Sequence, residues 1–202
     1  MKKKDAYLET VNGKSVFPWN LKREDVLIDD IANSLAMQAR YNGHLPEFYS
    51  IADHSIHVTV LADMLMSEKD ITPEERRVIR LRALLHDAAE AFISDIPSPV
   101  KMFIPSMYEH EDKMIKKIYS FYGAKITDRK LKKYSDQIIK KSDIMVLIGE
   151  KLDITNSVTR WPQEDIFKRC PFAIEYTEHW KNSKERFLDY FNVLTGGDYR
   201  GK

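Results

Sequence analysis

The run Leu84-Leu85-His86-Asp87-Ala88-Ala89-Glu90 places three ionisable side chains inside an otherwise apolar stretch. Written as a helix, it sets His86 and Glu90 one turn apart and Asp87 slightly less than a turn from Glu90, so the three groups converge on one point. Burying an ionised Asp among Leu, Ala and Phe is costly unless a positive charge sits beside it. A divalent cation is the simplest such charge. A bare His-Asp pair arises easily by chance, so the context carries the weight. That context includes the loop that follows at once, Ser94-Asp95-Ile96-Pro97-Ser98-Pro99-Val100-Lys101.

The frame around this run reads as helices joined by short loops. Apolar periodicity predicts helices at about 25–40, 51–67, 73–92, 107–122, 128–155 and 173–194. Thr72-Pro73-Glu74-Glu75 is a helix start, with a capping hydroxyl, Pro at the first helical position and acids in the first turn. Pro97, Pro99 and Pro105 break the region after the third helix into a loop. Near the start, Tyr7–Val11 and Lys14–Phe17 flank Asn12-Gly13, a pair suited to the positive φ angles of a two-residue turn, which predicts a small hairpin over about 6–18. A chain of 202 residues with 43% hydrophobic content can bury one good core, and no repeat, low-complexity tract or linker divides it. The expectation is one all-α domain over 1–202: hairpin, helical core at about 25–155 and C-terminal helix at about 173–194.

Charge and cysteine use narrow the class. A net charge of +1 gives no overall pull toward nucleic acid or an anionic membrane, so neither is an expected partner. Basic residues cluster locally, with Lys113, Lys116, Lys117, Lys125, Arg129, Lys130, Lys132, Lys133, Lys140 and Lys141 set against few acids. They form either a solvated helix face or a positive field that draws phosphate-bearing ligands. The single Cys170 excludes an intramolecular disulfide, a CxxC zinc site and a redox pair. With no apolar signal core and no run near eighteen apolar residues, a cytoplasmic protein is expected.

An adjacent His-Asp pair supplies only two ligands, so the others must come from elsewhere. In the second helix His54, Val58, Leu61 and Leu65 form one stripe, with His54 at one end of the core-facing side. A lone His on such a face is most often a satisfied core residue. His57, rotated about 60° from it, is a rival. In the fifth helix Ile139, Asp143, Val146, Leu147 and Glu150 share a face, which makes Asp143 a carboxylate in an apolar stripe. It is either a metal ligand or the partner of a cation on a neighbouring helix.

The ordered set His54, His86-Asp87 and Asp143 on three long helices resembles the HD-domain metal-dependent phosphohydrolases. Within them, the stretches Ala89–Lys101 and Ser50–Val58 resemble the bacterial 5′-deoxynucleotidase branch and its shorter phage relatives, over about residues 25–150. The resemblance implies an HD-type bundle of six or more helices in which His54, rather than His57, joins His86, Asp87 and Asp143 around one divalent cation. Manganese, cobalt, iron, zinc and magnesium all tolerate such ligands. It further implies that Glu90 manages the proton, that Asp95 positions the sugar or the attacking water, that Arg40 and Lys101 contact phosphate or nucleotide, and that Glu150 is a supporting carboxylate. Tyr41 departs from the Trp that often follows the Arg in these nucleotidases, and Asn42-Gly43-His44 is closer to the phage-type members. The implied activity is release of phosphate from deoxyribonucleotides, by a 5′-nucleotidase or a triphosphohydrolase reaction, in a dimer or larger homo-oligomer. Two other readings stand beside it: a non-catalytic nucleotide or metal sensor, and a helical protein that binds nucleic acid through the basic 113–141 region, with Tyr119, Phe121, Tyr122 and Tyr134 to stack bases.

Overall fold

The computed structural model describes residues 6–66 and 71–197. Among these the chain forms a two-stranded hairpin, β1 (Leu8–Glu9) and β2 (Ser15–Val16), and eight α-helices. The long ones are α1 (Ile28–Met37), α2 (Ile51–Leu65), α3 (Pro73–Leu84), α6 (Pro105–Phe121), α7 (Arg129–Ile154) and α8 (Trp180–Thr195), with short α4 (Glu90–Ile93) and α5 (Ser98–Lys101) after α3. This is the helical bundle with a small hairpin that the sequence predicts. No helix among the described residues is long and apolar enough to cross a membrane.

The hairpin turn differs from expectation. Only Gly13 takes a positive φ (71°), Gly13 N–H donates to Thr10 O at 2.9 Å and Thr10 N–H to Lys14 O at 3.0 Å. The loop is therefore three residues long, a turn followed by a left-handed Gly, rather than the two-residue turn read from Asn-Gly. Asn12 is used otherwise: its side-chain amide donates to Asp29 at 2.9 Å and Asp30 at 2.8 Å, docking the hairpin on the first turn of α1.

Helix α2 is the centre of the bundle and packs on α1, α3, α7 and α8. Its buried residues lie on nearly every side, as a helix enclosed by neighbours requires. Its start is pinned by Ser50, whose hydroxyl accepts from Asp53 N–H at 3.0 Å. The fully enclosed Asp53 carboxylate accepts in turn from Ser50 (2.6 Å), Thr177 (2.5 Å) and Ser183 (2.6 Å), tying α2 to α8 and the segment before it. Helix α3 begins with the predicted capping box, Thr72 N–H donating to Glu75 Oε2 at 2.8 Å and Glu75 N–H to Thr72 Oγ1 at 3.2 Å. Two apolar clusters form the core, one around Ile31, Leu35, Ile56, Leu84, Ile118, Phe187 and Phe191, the other around Val58, Leu61, Met66, Ile79, Val146 and Ile154.

Three helix boundaries depart from the sequence reading. The expected 73–92 helix ends at Leu84, residues 85–89 are successive turns closed by i to i+3 bonds such as Ala88 N–H to Leu85 O at 3.0 Å, and a new helix starts at Glu90. The last helix begins at Trp180 rather than near 173, because the segment before it is used laterally: Thr177 N–H donates to Phe48 O at 2.9 Å and Ile174 N–H to Asp153 at 2.8 Å. The first is the ten-residue α1 rather than about 25–40. Residue 67, where the second helix was expected to end, lies outside the described residues.

Candidate functional site

His86 and Asp87 sit in the turns after α3, so the break that the sequence hid is what aims them. His86 Nδ1 lies 2.8 Å from Ala83 O, which makes Nδ1 the protonated nitrogen and leaves the Nε2 lone pair free. His54, enclosed on α2, has Nδ1 2.6 Å from Glu150 Oε1 on α7, which leaves Nε2 as the nitrogen turned to the centre. Both Nε2 atoms are buried and have no hydrogen-bond partner among the described residues. They point at one place: Asp87 Oδ2 is 3.2 Å from His86 Nε2 and 3.7 Å from His54 Nε2, and the rings lie 5.3 Å apart. One ligand atom from each of His54, His86 and Asp87 falls within 4.8 Å of the others, close enough to hold a metal ion. Asp143 stands at the edge of this group, with Oδ1 3.4 Å from His54 Nε2 and Oδ2 accepting from Lys140 at 2.9 Å. His57 lies off this centre, its Nδ1 2.8 Å from the Tyr49 hydroxyl and its ring against Phe172.

The electrostatics are those of a place that wants positive charge. Burial opposes ionisation of Asp87, yet the two histidines hold its carboxyl below the ordinary range. Asp143 is held down in the same way, by His54 and Lys140 against burial. Burial and Arg40 disfavour a charged His54, but Glu150 and Asp143 outweigh them and push it up to about 9, so Nε2 facing those carboxylates holds a proton that a bound cation would displace. Two imidazole nitrogens without partners, set against buried carboxylates, fit a divalent cation in chemistry as well as position.

Arg40 enters from the turn after α1. Its Nη2 and Nε lie 3.2 and 3.3 Å from Glu150 Oε2, while Nη1 is 3.9 Å from Asp87 Oδ2. The turn is strained: Tyr41 (φ 56°), Asn42 (φ 52°) and Gly43 (φ 74°) are all left-handed, which costs about 1–2 kcal/mol for a Tyr. The Tyr41 hydroxyl offsets that cost by donating to Glu150 at 2.7 Å, and its ring packs 6.4 Å from Trp161. Glu150 thus aims His54, Arg40 and Tyr41 together.

Glu90 opens α4, enclosed, with Oε2 unpartnered among the described residues and Oε1 3.9 Å from Lys101 Nζ. Burial, reinforced by Asp87 and Asp95, raises its carboxyl well above the usual range. Burial likewise raises half-buried Asp95. Lys101 is nearly enclosed and is bound by Glu111 of α6 at 2.7 Å, a carboxylate the sequence reading did not single out. Gln38 was missed as well: its side chain donates to Glu90 O (3.1 Å) and Ser34 Oγ (3.0 Å) and accepts from Asp95 N–H (3.0 Å), clamping the backbone on which both acids ride. A Gln at the end of a helix gives no sequence signal of such a role.

A family model described as HD domain matches residues 35–150. The uncharacterized protein YfdR of Escherichia coli is 31% identical over 158 residues, 78% of each chain. An uncharacterized protein of Rhodobacter capsulatus is 33% identical over 123 residues, 59% of this chain and 60% of its own. A 5′-deoxynucleotidase of Cronobacter sakazakii is 37% identical over 75 residues, 34% of this chain and 36% of its own.

Proposed function

Because the chain belongs to the HD-domain family, we propose that it is a hydrolase releasing phosphate from deoxyribonucleotides, with residues 1–202 acting as one domain. HD domains bind divalent metals and are typically metal-dependent hydrolases. The deoxyribonucleotide is supported by the likeness to a 5′-deoxynucleotidase. The observation that carries the reading is the pair of buried, unpartnered Nε2 atoms of His54 and His86 turned toward Asp87.

His54, His86, Asp87 and Asp143 would hold the cation, and two imidazoles with two carboxylates suit an open catalytic site better than a closed structural one. When bound, the cation supplies charge that polarises a phosphoryl oxygen and acidifies a water. Glu150 and the Ala83 carbonyl fix the tautomers of His54 and His86, a supporting contact of the kind that tunes ligand basicity. Arg40 has two nitrogens on Glu150 and keeps Nη1 for a phosphate oxygen on the Asp87 side of the site. Glu90, its carboxyl raised by burial and its acidic neighbours, would give its proton to the departing sugar oxygen as the water oxygen bonds to phosphorus and the ester bond breaks, and would regain a proton from that attacking water. Asp95 positions the incoming water or the sugar. Lys101, beside Glu90 and balanced by Glu111, adds a contact to the nucleotide.

The test is a phosphate-release screen of deoxy- and ribonucleotides, as mono- and triphosphates, with manganese, cobalt, iron, zinc and magnesium. Release from deoxyribonucleotides that is abolished by a chelator supports the reading. No release from any nucleotide with any of these metals overturns it.

A further inference from the structure

The basic 113–141 region reads as one stretch in sequence, but the fold divides it. On α6 the lysines are answered locally: Lys113 pairs with Glu109, Lys116 with Asp112, and Lys117 donates to Leu21 O. The aromatic residues there are core: Tyr119 and Tyr122 are buried, with hydroxyls donating to Arg82 O and Val26 O. The α7 half differs in part: Lys132 and Lys140 are paired locally with Asp136 and Asp143, but Arg129, Lys133 and Lys141 have no ion pair among the described residues. Arg129, Lys132, Lys133, Lys140 and Lys141 line a groove of about 780 Å³, and the one acid in its lining, Asp136, is already bound by Arg82 and Lys132. Phe167, from the segment after α7, lines the same open groove.

At 1.5 Å per residue the cations from Arg129 to Lys140 extend over about 16 Å of helix. The far end meets the candidate metal centre, since Lys140 Nζ donates to Asp143 at 2.9 Å. A cationic track of this length exceeds what the phosphate of a mononucleotide requires. The aromatic face at Phe167 has no use for an inorganic polyanion but suits a base, and a basic groove with a stacking platform is the usual construction for holding a single strand.

We propose that this groove binds a single-stranded oligonucleotide, its phosphodiester backbone along the α7 cations, a base on Phe167, and one end directed at the metal centre. Only that last element rests on the phosphohydrolase reading. DNA and RNA share the backbone chemistry, so the test uses both. Labelled oligo(dT) and oligo(rU) are titrated with metal-loaded protein by fluorescence anisotropy over a range of salt. Counterion release of about 0.7 per neutralised phosphate predicts a log–log salt slope of roughly −2 to −3.5 for three to five engaged cations. The double variant Lys133→Glu/Lys141→Glu, which touches none of the proposed catalytic groups, is expected to flatten that slope by about 1.4 and weaken binding at least about tenfold at low salt, with metal content and mononucleotide hydrolysis unchanged. Phe167→Ala is expected to weaken binding by about 5- to 150-fold, the loss of one stacked base. Absence of binding at low salt, affinity unchanged in the double variant, or competition by inorganic tripolyphosphate as strong as by an equally charged oligonucleotide would overturn the proposal. A protein that binds the strand yet hydrolyses no mononucleotide would keep the groove and refute the phosphohydrolase reading.

Discussion

Replacing Glu150 by Gln asks whether one enclosed carboxylate aims both the imidazole proposed to bind metal and the guanidinium proposed to face phosphate. Oε1 is 2.6 Å from His54 Nδ1, and Oε2 takes Arg40 at 3.2 and 3.3 Å and the Tyr41 hydroxyl at 2.7 Å. Arg40 and His54 hold the acid at about 2 although burial opposes ionisation. Gln keeps the volume but turns one acceptor into a donor, so either His54 or the Arg40–Tyr41 pair meets an N–H, and Arg40 loses its counter-charge. Removing one partner of a buried ion pair costs about 3–5 kcal/mol. Conserved shape and the remaining neighbour Asp87, 3.9 Å from Arg40, set the expectation at the lower end, about 3 kcal/mol. For a domain of this size that lowers Tm by about 6–12 °C. If His54 ligates the metal as proposed, losing the group that orients it is expected to weaken metal binding by about 10- to 100-fold. Urea unfolding with an unchanged m-value gives the first quantity, and calorimetric titration of Mn²⁺ into metal-free protein gives the second. A variant with the wild-type midpoint and wild-type Mn²⁺ affinity would show that Glu150 is a bystander and that the alignment of His54 has another cause.

Asp87→Ala is expected to abolish metal binding and phosphate release together, read by metal analysis and turnover on one preparation, whereas His57→Ala should leave both nearly intact because His57 faces Tyr49 and Phe172. Glu90→Gln should retain metal and nucleotide affinity while turnover falls about 10²- to 10⁴-fold, the loss of a positioned acid; loss of metal would instead make Glu90 a ligand. Gly149→Ala would bring a Cβ 2.5 Å from Cys170 Sγ and 3.3 Å from Ile174 Cγ1, so thermal melts should show about 1–3 kcal/mol of destabilisation, relieved in Gly149→Ala/Cys170→Ala. Burial holds His57 down to about 4 against Asp53 and Glu150. The unfolded imidazole, near 6.5, therefore binds its proton first, and stability should fall as pH drops from about 6.5 to about 4, by up to about 3 kcal/mol. Comparing denaturation of wild type and His57→Asn over that range isolates the contribution, and identical slopes would remove His57 as its source.

Much of the fold was legible because its signals are local. The stripe from His54 to Leu65, the Thr72 capping box and the face from Ile139 to Glu150 all follow helical periodicity and stand where periodicity puts them. The break at 85–89 was not legible, because Leu84-Leu85-His86-Asp87-Ala88-Ala89 contains no Gly or Pro and each residue tolerates a helix. What interrupts it is tertiary: turns that let His86 and Asp87 face α2 while Glu90 starts a separate helix toward Lys101. The hairpin turn was misread because Asn12 spends its side chain on α1, a contact no local pattern encodes. For Arg40 the residue type was visible but the reason for its position was not, since its partner Glu150 is 110 residues away and the left-handed Tyr41 beside it is a conformation its own chemistry disfavours.

The wide sequence separation within this centre bears on how the molecule acquires it. His54 meets Glu150 across 96 residues, and Asp53 beside it meets Ser183 across 130, so no short stretch of the chain carries the site by itself. Each contact requires closure of a loop on the order of a hundred residues, whose entropic cost is met only when the helices on both sides have docked. A cation therefore finds its ligands assembled late in folding. Loading should lag behind the acquisition of helicity when metal-free, unfolded chain is diluted into buffer containing the ion, and it should lower the unfolding rate far more than it raises the folding rate.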